Sequence, residues 1–242
     1  MEKTELKLEY KVCKSGKEGI PVIVVAAGSS TRMKGTNKQL LLLGGVPVLI
    51  RTLFAFENSD SISNIILVVR DEDLFEIQML TSKYNITKIT DIVCGGATRQ
   101  ESVLKGFSRL KTSDKEVLIH DGARPFVDDK IIARVCTALK DFPAVTCGVK
   151  PKDTIKQIDE NGKVKKTLNR ESLCLVQTPQ GVCVEKYLKA TQSVDVSYFT
   201  DDASIMEAAN YEVCVVEGSY KNIKITTKED ISSATAFLEE ED

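Results

Sequence analysis

The chain of 242 residues carries 33 Lys and Arg against 35 Asp and Glu, a formal charge of -2, so no global positive field draws it to nucleic acid or an anionic membrane surface. Its 42% hydrophobic and 28% charged content is that of a folded globular domain and excludes disorder and coiled coil, and its length suits one large core. The longest apolar runs, such as 40–43 and 65–69, fall far short of the roughly 20 residues of a membrane helix.

Residues 1–19 read as an N-terminal extension without chemistry. They have neither the apolar stretch of a secretion signal nor the character of an Arg-rich transit peptide, which predicts a cytoplasmic protein. From residue 20 to residue 240 one domain is expected. Apolar, β-branched runs at 22–26, 65–69, 89–93, 117–120, 144–149 and 213–216 predict strands. Between them, 48–56, 74–84, 102–110 and 130–139 have helical period, the first with Pro47 near its start. This alternation predicts a single Rossmann-like, doubly wound α/β domain with a mainly parallel sheet. Segments 154–159 and 163–169 flank Asn161-Gly162, a pair suited to a type I′ turn and so to a two-stranded hairpin. Rich in Lys and poor in large apolar side chains, the stretch 150–174 is expected to project as an arm supported by a partner chain, with an ordinary solvated surface hairpin as the alternative.

Seven cysteines, Cys13, Cys94, Cys136, Cys147, Cys174, Cys183 and Cys214, are odd in number and form no C-x-x-C pair. Reduced, mostly buried thiols are expected, without a disulfide framework or zinc cluster. The single histidine, His120, excludes a multi-histidine metal site and reads as a packed strand-end residue.

The first strand runs into Ala26-Ala27-Gly28-Ser29-Ser30-Thr31-Arg32, with Lys38 close behind. Small residues there let backbone N–H groups approach a phosphate, and the two cations suit charge that builds on a transferred phosphoryl group and its leaving pyrophosphate. The pattern matches neither G-x-G-x-x-G nor a Walker loop, and a plain strand-to-helix turn is the alternative. The strand at 117–120 ends in Asp121, Gly122 and Arg124, which in an open α/β sheet face the ligand crevice. Asp121 could hold Mg²⁺ there; alternatively it caps a turn while Arg124 forms a surface ion pair. Gly95-Gly96-Ala97-Thr98-Arg99 and Ser102 follow another strand end. They could read a base edge, or form a Gly-rich turn with Thr98 as helix cap and Glu101 completing a capping box. Further clusters are Leu168-Asn169-Arg170, Gln177-Thr178-Pro179-Gln180, Phe199 to Ser204, where Thr200 or Asp201 also suits a helix cap, and the strand-borne Lys224.

In order, these segments resemble the 2-C-methyl-D-erythritol 4-phosphate cytidylyltransferase family: Ala26-Ala27-Gly28 with Arg32-Met33, Lys38-Gln39, Gly95-Gly96 with Arg99 and Ser102-Val103, His120 to Phe126, Asp153 to Lys156, Thr178-Pro179-Gln180, Thr200 to Ser204, and Asn222 to Thr226. The match covers nearly the whole chain from about residue 21. The resemblance implies a homodimer with crossed arms and transfer of the cytidylyl group of CTP to a sugar phosphate. It implies that CTP lies along Ala26, Ala27, Gly28 and Ser29, near Arg99, with cytosine read by Gly96, Ala97 and Ser102. Arg32 and Lys38 would stabilise the transition state. The sugar phosphate would meet Asp121, Gly122, Arg124, Thr178, Thr200, Lys224 and Thr226, with Thr154 and Arg170 supplied by the other subunit's arm. Arg32, Lys38, Arg170 and Lys224 would carry the catalysis, and Mg²⁺ on the triphosphate would sit near Asp121.

Two positions depart from the family pattern. Asn37 stands where Pro is usual, freeing a backbone angle and predicting a looser Lys38 loop, and Leu40 stands where an aromatic residue is usual. A ribitol 5-phosphate cytidylyltransferase shares the fold, CTP site and arm, although the loop at Ala26, the Thr178-Pro179-Gln180 cluster and the arm sequence favour the methylerythritol enzyme. A nucleotide-binding regulator without transfer activity would not need Arg32, Lys38, Asp121, Arg170 and Lys224 together.

Overall fold

A computed structural model describes residues 19–28 and 37–239. In chain order the elements are β1 (Ile20–Val25), β2 (Leu42–Leu43), β3 (Val46–Pro47), α1 (Val48–Glu57), β4 (Ile62–Val69), α2 (Leu74–Lys83), β5 (Ile89–Cys94), α3 (Arg99–Phe107), β6 (Glu116–Asp121), α4 (Asp129–Ala138), β7 (Ala144–Val149), β8 (Lys156–Ile158), β9 (Val164–Thr167), β10 (Leu175–Cys183), α5 (Val184–Ser193), α6 (Asp202–Ala208), β11 (Val213–Glu217) and α7 (Lys228–Glu239). A seven-stranded sheet has the order β11-β7-β10-β6-β1-β4-β5. All its pairings are parallel except those of β10, which runs antiparallel to β6 and β7.

Side-chain alternation along β1 builds both faces. Val22 and Val24 pack with Leu49, Leu53 and Phe56 of α1 and Ile131 and Val135 of α4. Ile23 faces Val103 and Phe107 of α3, Tyr187 of α5 and Met206 of α6 on the other side. Full burial of each such side chain stabilises by roughly 1.5–3 kcal/mol, so a one-residue slip of β1 would exchange its two faces. A smaller cluster seats α7 through Ala234 against Leu43, Val48 and Ile225.

The six expected strands form, and 144–149 has the expected bounds. β10 has no apolar run to announce it, because Gln177, Thr178, Pro179, Gln180 and Gly181 occupy its middle. Pro179 falls in a register shift between Gln177 and Gln180, where a missing N–H is tolerated. Gly181 is required by close approach, since a Cβ there would lie 2.5 Å from Leu139 Cδ1 and 3.0 Å from Val135 Cγ1. The third helix starts at Arg99, earlier than the expected residue 102, because Thr98 caps it by accepting the Glu101 N–H at 3.1 Å.

The hairpin forms as β8 and β9, but its turn is not type I′, which needs positive φ at both central residues. Gly162 has φ 77° while Asn161 does not have positive φ. Gly162 N–H donates to Asp159 O at 3.1 Å, and Asp159 N–H to Lys163 O at 2.9 Å, a longer loop in which the left-handed residue is glycine alone. The expectation of mostly buried thiols also needs correction. Cys136 and Cys147 are buried, whereas Cys94, Cys174, Cys183 and Cys214 are free and partly exposed. The extension 1–18, with Cys13, lies outside the described residues.

His120, on β6, is fully buried, with its ring edge-on to Phe56 at 4.9 Å. Its Nε2 faces Arg124 O at 3.3 Å and its Nδ1 faces Thr178 Oγ1 at 3.0 Å. A carbonyl can only accept, so Nε2 carries the proton and the Thr178 hydroxyl donates to Nδ1. Burial first, then the nearby Arg124 and Lys224 against the opposing pull of Asp121, push its pKa down to about 3. With the folded pKa below the ordinary 6.5, His120 contributes stability that is complete above about pH 6.5 and is lost as pH falls towards 3, at up to about 1.4 kcal/mol per pH unit. We predict that His120→Asn makes the denaturation midpoint less pH-dependent between pH 6.5 and 4; an unchanged slope in urea melts would contradict this.

Candidate active site

A cleft of about 590 Å³ opens at the C-terminal ends of β1, β4, β5 and β6, within the range of small-molecule sites and in the position where open parallel sheets bind ligands. Ala27 and Gly28 enter it from β1, and Gly95 to Arg99 with Ser102 from the turn after β5. Asp121 and Ala123 follow β6, while Lys38, Gln39, Lys224 and Thr226 close the remaining wall.

Asp121 is the electrostatic centre. Its Oδ2 lies 2.8 Å from Lys224 Nζ and 3.6 Å from Arg124 Nε, and its Oδ1 lies 3.6 Å from Arg99 Nε. Burial alone would raise the Asp121 carboxyl, but Lys224, Arg99 and Arg124 outweigh it and hold the group well below the ordinary carboxylate range. Arg99 also pairs with the fully buried Asp202 at 2.7 Å. Three cations thus face two carboxylates, a local positive excess in a chain whose overall charge is -2.

Backbone ties bring these groups together. Asp121 N–H donates to Thr178 Oγ1 at 3.1 Å, placing buried Thr178 behind the carboxylate rather than in the cleft wall. The segment bearing Lys224 is fastened by Ile225 N–H to Ala123 O at 2.8 Å, by Asn222 Nδ2 to Thr178 O at 2.9 Å, and by Arg124 Nη1 to Asn222 O at 2.8 Å. Gly122 is a latch: its N–H donates to Val25 O and its carbonyl accepts the Thr52 hydroxyl, both at 2.9 Å.

The turn after β5 is equally constrained. A Cβ on Gly95 would collide with Ala27 Cβ and lie 2.8 Å from Ser102 Oγ, so only glycine lets this turn close on the β1 loop. Ser102 Oγ accepts the Gly96 N–H at 3.0 Å and donates to Thr98 O at 2.9 Å. The Glu101 carboxylate reaches back to Ala97 N–H at 2.8 Å, one residue before the cap that a regular capping box would serve.

Other expected residues fall elsewhere. Ala26 is buried beneath the cleft, with its N–H on Val68 O. Thr226 lines the cleft, but its hydroxyl donates to Asp230 Oδ2 at 2.8 Å at the start of α7. Thr200 is exposed and Asp201 caps α6. Thr154 and Arg170 are exposed beside the hairpin, with Arg170 Nη1 on Lys152 O at 2.8 Å, and neither lines this cleft. Ser29 and Arg32 lie outside the described residues. Asn37 Oδ1 accepts the Gln39 N–H at 3.1 Å, an Asx turn around Lys38. Residues not singled out beforehand include Arg70, Asp71 and Glu72, which line the cleft after β4; charges directly after an apolar strand, the signal used for Asp121, also mark them.

The family profile described as IspD, 2-C-methyl-D-erythritol 4-phosphate cytidylyltransferase, matches residues 20–240. A 2-C-methyl-D-erythritol 4-phosphate cytidylyltransferase of Clostridium novyi (strain NT) is 47% identical over 226 residues, covering 90% of this chain and 95% of that protein. The structure of 4-diphosphocytidyl-2C-methyl-D-erythritol synthase from Anaerococcus prevotii DSM 20548 superposes with a TM-score of 0.82 at 35% identity, covering 92% and 96% of the two chains. The Francisella tularensis 2-C-methyl-D-erythritol 4-phosphate cytidylyltransferase gives 0.74 at 31% identity, covering 90% of this chain and 99% of that one. The chain therefore belongs to the 2-C-methyl-D-erythritol 4-phosphate cytidylyltransferase family.

Proposed function

We propose that the cations gathered around Asp121, together with Lys38 and Arg32, carry the chemistry of this family in this chain. The chain is a nucleotidyltransferase that moves the cytidylyl group of CTP to 2-C-methyl-D-erythritol 4-phosphate, giving 4-diphosphocytidyl-2-C-methyl-D-erythritol and pyrophosphate. A phosphate oxygen of the acceptor forms a bond to the α-phosphorus as the bond to the pyrophosphate oxygen breaks. A phosphate monoester is already nucleophilic near neutral pH, so no general base is required, and the buried neutral His120 suits a structural role. Catalysis falls to positioning and charge stabilisation.

The observation that carries the reading is Asp121 with Lys224, Arg99 and Arg124 at the mouth of β6, opposite the Gly28 and Gly96 turns. We assign the triphosphate to the side of Ala26, Ala27, Gly28, Ser29, Arg32, Lys38 and Arg99, and cytosine to Gly96, Ala97 and Ser102. The sugar phosphate acceptor is assigned to the side of Asp121, Gly122, Arg124, Lys224 and Thr226, its phosphate to the cations Arg124 and Lys224, with Thr178 supporting Asp121 from behind and Thr200 exposed beside α6. Mg²⁺ would meet the Asp121 carboxylate; among the described residues no group of three or more His, Cys, Asp or Glu side chains could hold an ion by itself. That donor set suits an ion carried in on the triphosphate, where its role is to shield phosphate charge. Free thiols at six described positions support a reducing, cytoplasmic setting.

We assign Thr154 and Arg170 to the active site of a second subunit. Both are exposed and outside their own cleft, while Ile158 and Val164 on the hairpin are 57% and 59% exposed, apolar surface that a partner chain would cover. The domain 20–240 then holds all the chemistry, and its arm, 150–174, makes the dimer.

Two outcomes follow. Pyrophosphate release from CTP with Mg²⁺ is expected with 2-C-methyl-D-erythritol 4-phosphate and not with ribitol 5-phosphate; release with ribitol phosphate alone would move the protein to another pathway. Lys38→Ala and Arg170→Ala proteins are each expected to lose about a hundredfold or more in turnover, about 2.7 kcal/mol. Mixed and allowed to exchange subunits, they should regain activity, and heterodimers verified by mass without recovery would show that each site is built from one chain.

A further inference from the structure

Behind the cleft lies a buried polar network that the assignments above do not use. Asp202, the first residue of α6, is fully buried. Its Oδ2 accepts from Arg99 Nη2 and its Oδ1 from the Tyr187 hydroxyl, each at 2.7 Å. Its backbone N–H, with that of Ala203, donates to Gln180 Oε1 at 2.9 and 3.0 Å. Gln180 Nε2 in turn donates to Thr146 Oγ1 at 3.0 Å and Asp201 Oδ2 at 2.8 Å. Tyr187 is itself fixed by stacking on Phe107, with ring centroids 4.7 Å apart. Strands β7 and β10, together with α5, therefore fasten a single carboxylate in place.

That carboxylate faces Arg99, whose guanidinium is a rigid plane with three nitrogens. Nη2 is taken by Asp202 and Nε lies 3.6 Å from Asp121 Oδ1, while Nη1 is buried without a hydrogen-bond partner among the described residues. The short bond to Asp202 holds one nitrogen of the plane, and the looser ion pair with Asp121 limits how far it can turn. Without Asp202, the nearest carboxylate for Arg99 is Asp121, and Arg99 would close on it.

We propose that Asp202, with Tyr187, is a positioning residue for nucleotide binding: it shares Arg99 with Asp121, keeps the guanidinium from closing fully on that carboxylate, and holds it in the cleft wall for an anionic oxygen of CTP. The proposal rests on the assignment of CTP to this cleft. Asp202 touches neither substrate and acts through Arg99, so its contribution exists only while Arg99 is present.

A double-mutant cycle tests this. Asp202→Asn, which keeps the shape and removes the charge, is expected to raise the KM for CTP about tenfold with less than a twofold change in the KM for 2-C-methyl-D-erythritol 4-phosphate. In an Arg99→Ala background the same substitution should change the KM for CTP less than twofold. Equal factors in both backgrounds, or no change in either, would overturn the proposal in favour of a purely structural role. If Asp202→Asn fails to fold, Tyr187→Phe keeps the ring on Phe107, removes only the hydroxyl, and is carried through the same cycle with the same criteria and a smaller expected rise. Arg99→Ala without effect on the KM for CTP, where Lys38→Ala still abolishes turnover, would overturn the role of Asp202 and leave the cleft assignment standing. Both variants without effect would overturn the cleft assignment itself.

Discussion

A carboxylate only 8% exposed at the end of a central strand is costly unless opposite charges surround it, and Asp121 is surrounded by three. Much of the site's architecture answers that constraint. Arg124 comes from the turn that follows β6, Arg99 from the start of α3, and Lys224 from a segment stitched to β6 and β10 by Ile225, Asn222 and Arg124. Removing the carboxylate would leave three cations facing one another around a single remaining anion, Asp202. With it in place, they share a surplus of positive charge that a phosphate can satisfy.

The sheet distributes the work between its two halves. The parallel strands β1 and β5 end in small-residue turns, where Gly95 meets Ala27 without room for a side chain, so backbone lines that side of the cleft, while β4 runs into the charged Arg70, Asp71 and Glu72. The strands β6, β7 and β10 carry the polar and charged groups. Antiparallel β10 presents Thr178 to Asp121 and His120, and Gln180 to Asp202. One strand therefore steadies both carboxylates from behind. The hairpin of β8 and β9 comes shortly before β10, so it is continuous with the strand that supports these charges.

Much of this was legible in the sequence. The alternation of β-branched and helical stretches fixes a doubly wound sheet, and 144–149 needs no revision. Asp121 and Arg99 stand at or just beyond strand ends, where composition marks them, whereas the short strand expected around Lys224 does not form: the segment between β11 and α7 is irregular and is held by its hydrogen bonds to Ala123, Arg124 and Thr178. The middle of β10 was not legible, since its side chains are polar for reasons of network chemistry rather than packing. The pairing of Arg99 with Asp202, 103 residues apart, was hidden for a related reason: Asp202 sits in a sequence that reads equally well as a helix cap, and its neighbour Asp201 takes that role. The turn at Gly162 does not follow the expected type I′ geometry because glycine and asparagine each support several turn geometries.

The central claim is that Asp121 organises the cations that perform the transfer. The most direct measurement is single-turnover pyrophosphate release by Asp121→Asn at saturating CTP and 2-C-methyl-D-erythritol 4-phosphate, with folding verified by thermal denaturation. The account predicts a folded protein whose rate falls by about a hundredfold or more. A folded Asp121→Asn protein with a rate close to that of the unmodified chain would contradict it.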